Sequence, residues 1–164
     1  MEILGIILCI VILASPFLAI GLFKRKIKLF ETELMSFKES IDLTNLPIVT
    51  FEIDGKKCNF LLDTGASGSV INKGVLDQFK HVEIDAISTV FGMEGNPQEV
   101  PVVEMWLNYR SKTFKEVFQA IDMNNAFSMI KQEYGVTIHG ILGSNFFKKY
   151  KYILNFDNLV AYTV

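Results

Sequence analysis

Eight consecutive residues, Phe60-Leu61-Leu62-Asp63-Thr64-Gly65-Ala66-Ser67, carry an apolar strand straight into a carboxylate and then into a glycine. A strand that ends this way sets an acid at its mouth, among apolar side chains and backbone N–H groups. There it can take or give a proton as a general base or acid. Asp-Thr-Gly alone is a weak signal. An Asx turn at a strand end uses the same residues, with the aspartate capping the chain and the glycine supplying a positive φ. The apolar lead-in, Ala66-Ser67 and the return segment Ser69-Val70-Ile71 favour a built site over a plain turn.

Other reactive side chains make weaker cases. Ser67 or Ser69 with His139 would need a positioned acid and an oxyanion hole, and nothing in the sequence marks either. His139 reads as a surface or hydrogen-bonded structural residue, and Cys58, inside a β-type run, as packing. The chain has two histidines and two cysteines, with no CxxC and no HExxH, so no metal and no cofactor is expected. Sixteen basic against eighteen acidic side chains give a net charge of −2, which argues against nucleic acid as a partner. Half of the 164 residues are hydrophobic, which excludes a disordered chain.

These groups must be positioned by a chain that divides in three. Residues 1–23 contain an uncharged apolar run, Ile3 to Phe23, long enough as a helix to cross about 30 Å of hydrocarbon. Lys24, Arg25, Lys26 and Lys28 follow it, whereas a secretory signal would carry its basic residues in front. The expectation is a retained single-pass membrane anchor with the rest of the chain on the cytoplasmic side. Residues 24–44 form a juxtamembrane helix or linker, with Ile27, Phe30, Leu34, Phe37 and Ile41 on one stripe. Residues 45–164 change to a period of two. Asp54-Gly55 reads as a primed hairpin turn, Val82–Val90 and Val100–Leu107 as strands around a glycine-rich tip, and Tyr109-Arg110-Ser111 as another turn. Thr113–Ile121, Ile138–Leu142, Tyr152–Phe156 and Leu159–Val164 read as further strands. A short helix is expected around Phe146–Lys149, and Asn124–Tyr134 is left as helix or loop. The fold class is all-β with short helices.

In this region the sequence resembles the retropepsin-like aspartic proteases, of a membrane-anchored bacterial type, over about Ile48 to Val164. Leu61 to Ser67 is similar to their catalytic loop, and Val90-Phe91-Gly92-Met93-Glu94-Gly95 to the tip of the substrate flap. Thr113 to Val117 resembles the strand after the flap. Gly140-Ile141-Leu142-Gly143, with Phe146-Phe147 beyond it, is similar to the element that braces the loop. His139 stands where related members often have Asp.

The resemblance implies an acid-protease barrel, with Asp63 catalytic and Thr64, Gly65, Ala66 and Ser67 supporting it. Phe91 to Gly95 would cover an extended peptide substrate, and Ile141, Leu142 and Gly143 would brace the loop. Hydrolysis by this route uses two carboxylates sharing one proton. One Asp-Thr-Gly per chain is then half of a site, so a homodimer is expected, with the terminal strands as its interface sheet. The rival expectation is a catalytically silent, membrane-anchored peptide-binding or assembly module of the same fold.

Overall fold

The computed structural model describes residues 34–91 and 97–163. The expected anchor, the basic cluster and flap-tip residues Gly92, Met93, Glu94 and Gly95 lie outside them. Among the described residues no helix is long and apolar enough to cross a membrane.

Strands β2 (Ile48–Ile53) and β3 (Lys56–Leu62) form the first hairpin. Its turn has Asp54 at φ 50° and Gly55 at φ 75°, the two left-handed residues a primed turn requires. β4 (Ser69–Asn72) follows the Asp63 loop, and β5 (Val82–Phe91) and β6 (Pro97–Tyr109) pair antiparallel from Phe91↔Pro97 onward. β6 turns at Arg110 (φ 53°) into β7 (Lys112–Ile121). The short β8 (Gly140–Leu142) inserts between β3 and β4, parallel to the first and antiparallel to the second, and β4 lies parallel to β7. The order β2-β3-β8-β4-β7-β6 returns to β2 through Glu52↔Asn108, which closes a six-stranded barrel with β5 as an added strand on β6.

Closure has a steric condition at β8. A Cβ on Gly140 would lie 2.4 Å from the Val70 carbonyl oxygen and 2.8 Å from the Phe60 ring, so no larger residue fits between the neighbouring strands. The barrel interior follows the strand alternation. Phe51, Phe60, Val103, Met105, Leu107, Phe114, Phe118 and Phe146 are buried in one core. Edge-to-face ring pairs such as Phe51–Phe114 at 5.5 Å add to the area they bury.

Among the described residues four helices complete the fold: α1 (Lys38–Thr44), α2 (Lys73–Leu76), α3 (Asn124–Tyr134) and α4 (Ser144–Tyr150). The undecided stretch 124–134 is thus helical, ended by Gly135 at φ 72°. The stripe through Leu34, Phe37 and Ile41 does not lie on one helix. Met35–Ser36 is a strand, β1, paired to Val160 and Ala161, and α1 begins only at Lys38. Burial of Phe37 in the main core favours that extended entry. β1 belongs to a three-stranded sheet of order β1-β10-β9, with β9 at Tyr152–Asn155 and β10 at Val160–Thr163. The strand expected last in the chain therefore has β9 along one edge and β1 on the other at Val160–Ala161.

Candidate active site

Strand alternation makes Cys58, Phe60 and Leu62 of β3 face the core. Asp63 follows as the chain leaves the barrel, and its N–H still reaches the Leu142 carbonyl of β8 at 3.0 Å. Its carboxylate stays half-buried, and the Gly65 N–H donates to Oδ1 at 2.8 Å. The Ala66 N–H closes the turn on the Asp63 carbonyl at 3.3 Å. Thr64, Gly65 and Ser67 are exposed. A carboxyl group presented this way keeps lone pairs available for water or substrate.

The loop is held from behind by the start of α4. The Ser144 N–H donates to the Ala66 carbonyl at 2.8 Å, the Asn145 N–H to the Ser67 carbonyl at 3.2 Å, and the Ser144 hydroxyl to the Thr64 carbonyl at 2.8 Å. These bonds need the two backbones almost in contact. A Cβ on Gly143 would sit 2.4 Å from the Gly68 carbonyl oxygen and 2.8 Å from that of Ala66, so this position must be glycine. Leu142 is fully buried, and Ile141 is half-buried opposite Leu61. The expected bracing residues Ile141, Leu142 and Gly143 thus meet the loop of Asp63, Thr64, Gly65, Ala66 and Ser67. Phe91 ends β5 beside Pro97; the rest of the expected flap tip lies outside the described residues.

Behind the loop sits a group that the sequence reading did not single out. Glu116, on β7, is 1% exposed. Its Oε1 accepts the Ser69 hydroxyl at 2.9 Å and the Asn145 amide at 3.2 Å, and Lys149 lies 3.4 Å from Oε2. Burial pushes its carboxyl above the ordinary glutamate value against the pull of these donors. The signal was parity: Phe114, Glu116, Phe118 and Ala120 share the inward face of β7, and a charge there is out of pattern.

Ser69, Cys58 and His139 are otherwise engaged. The Ser69 hydroxyl is tied to Glu116. Cys58 is buried, and burial raises its thiol to about 11, so thiolate is scarce near neutral pH. His139 Nδ1 accepts the Asn59 N–H at 3.1 Å, its backbone bonds Asn59 and Asn72, and burial lowers its imidazole below the ordinary value. It is a neutral hydrogen-bond acceptor within the sheet. No group of three or more metal-ligating side chains occurs among the described residues.

The profile of the aspartyl protease family matches residues 49–146, a span that includes both the Asp63 loop and its brace. No curated protein matches the sequence. Among solved structures the chain is similar to the EIAV protease complexed with the inhibitor HBY-793. The two are 19% identical with a TM-score of 0.48, over 66% of this chain and 90% of that one.

Proposed function

The chain belongs to the aspartyl protease family, and from that premise we propose that it is an aspartic endopeptidase whose dyad is formed by Asp63 of two copies. The observation that carries this reading is the braced loop, which presents one half-buried carboxylate with a single Asp-Thr-Gly per chain. Two such carboxylates about a twofold axis repel, so they hold one proton between them and titrate as a pair. The ionised member takes a proton from water as the water attacks the peptide carbonyl. The protonated member donates to the carbonyl oxygen. Thr64 would link the two loops, and Gly65 would offer its backbone to an extended peptide lying under the β5–β6 hairpin.

The apolar run Ile3–Phe23 and the basic residues after it support a single-pass anchor with the catalytic unit on the cytoplasmic side. Confinement to a membrane would raise the effective concentration of the halves, so a modest interface is sufficient. The test is hydrolysis of a mixed peptide library by the full chain. Cleavage lost in Asp63→Asn and blocked by a statine-type inhibitor supports the protease.

One observation favours the second reading, a silent peptide-binding or assembly module. β10, the strand expected to join two copies, already has neighbours within its own chain. Peptides left intact by a dimeric chain from acid to neutral pH would select that module.

A further inference from the structure

We infer that Glu116 is a positioning residue for the Asp63 loop and sets the acid limit of activity through the hydrogen-bond direction of Ser69. The inference rests on the protease reading of Asp63.

Glu116 is the hub of a network reaching both sides of the loop's brace. Ser69, at the start of β4, bonds Glu116 and accepts the Gly143 N–H at 3.3 Å. Asn145, in the first turn of α4, gives its amide to Glu116 and its backbone N–H to the Ser67 carbonyl. Fixing Ser69 and Asn145 therefore fixes both the return from the loop and the helix that holds it. The elements packed around the carboxyl contribute Ser69 from β4, Met105 in register from β6, and Asn145 and Lys149 from α4. The charged group facing it is Lys149, whose ammonium also bonds the Lys115 carbonyl. The Tyr150 hydroxyl bonds that same carbonyl, which ties the end of α4 to β7.

The proton count gives the network two states. With Glu116 ionised, the single Ser69 proton points at Oε1, and the Asn145 Oδ1 is served by the Phe146 N–H at 2.8 Å. The Asn145 Oδ1 also lies 3.1 Å from the Ser69 oxygen. When Glu116 gains a proton on Oε1, it donates to Ser69, and the Ser69 hydroxyl turns to Asn145. A proton on Oε2 would instead place a donor against the Lys149 ammonium. Either change re-aims the side chains that seat the loop. Burial makes this uptake occur at higher pH than for an ordinary glutamate.

The test is the pH dependence of kcat/KM for an apolar fluorogenic peptide, measured on the full chain and two variants. Glu116→Gln keeps an acceptor for Ser69 and cannot titrate, but it sets its amide against the Lys149 ammonium, so kcat/KM should fall at neutral pH while its acid limb, freed of the Glu116 step, lies at lower pH. Lys149→Met removes the cation that favours the ionised form, so its limb should move to higher pH. A displacement of about one pH unit is a tenfold change in rate on that limb. Hydrogen exchange of segments 63–69 and 140–146, corrected for intrinsic rates, supplies a readout independent of turnover. It should change with pH through the Glu116 titration in the wild-type chain and not in Glu116→Gln. Exchange that behaves this way in a chain that cleaves nothing upholds the network and discards the protease. An active enzyme whose limb and exchange are the same in all three proteins overturns the inference. If Glu116→Gln does not fold, the direction of the Lys149→Met limb decides.

Discussion

Asp63 stands half-buried at the mouth of β3, where the Gly65 N–H bonds one carboxylate oxygen. Glu116 lies behind the same loop, almost wholly buried, with Ser69, Asn145 and Lys149 around its oxygens. Both are carboxylates serving one loop, and their surroundings divide the work. The first keeps open lone pairs and water access, as a group that must exchange protons with substrate requires. The second gives its acceptors to the protein itself, where an unmatched donor or acceptor would cost about 1–3 kcal/mol. Under the proposed function, solvent access, more than residue type, separates the acid that reacts from the acid that holds.

The contrast is most easily broken at Asp63. Asp63→Asn should lower peptide hydrolysis by about a thousandfold or more while leaving Tm nearly unchanged, since the amide fits the same half-exposed place. A large fall in Tm would mean that Asp63 is a structural group like Glu116. Gly143→Ala attacks the seam between the two regions. Its Cβ would meet the Gly68 carbonyl oxygen at 2.4 Å, so the loop and α4 must part. We expect a loss of about 1–3 kcal/mol of stability by denaturant titration and about a hundredfold in rate from the misplaced loop.

Glu116→Gln sharpens the comparison through stability. A carboxyl raised by burial favours the fold while protonated. That contribution is complete below the ordinary glutamate value and is lost as pH rises through the raised value. The Tm of Glu116→Gln relative to the wild-type chain should therefore climb by about a few degrees from acid to neutral pH. A difference independent of pH would contradict the placement of the charge. Ala66→Ser probes the reactive side most gently. A hydroxyl donating to the proposed Asp63 pair would favour its ionised form, so the alkaline limb of the pH–rate profile should move down by about a few tenths of a unit.

The local chemistry of the loop was legible in the residues. Asp54-Gly55 demands a turn with positive φ, and the run into Asp63 demands an exit from an apolar strand. Gly140-Ile141-Leu142-Gly143 has glycine at both points where backbones nearly touch. Long-range pairing was less legible. A two-residue strand such as β1 has no periodicity of its own, and its place beside Val160 and Ala161 comes from the far end of the chain. Phe37 illustrates the ambiguity, since it fits a helical stripe and also fits the core it enters. Glu116 was visible only as a charge on the inward parity of β7, and its partners Ser69 and Asn145 lie 47 and 29 positions away. What a sequence leaves hidden here is which distant elements share a polar network.

The division of labour holds only if Asp63 is half of a site that a second copy completes. Mixing wild-type and Asp63→Asn chains at constant total concentration, with time for subunit exchange, tests this most directly. If each site needs two intact aspartates, activity follows the square of the wild-type fraction, and an equal mixture retains about a quarter. Activity that falls in simple proportion, to about half in the equal mixture, would show that one chain cuts peptides alone and would contradict the account.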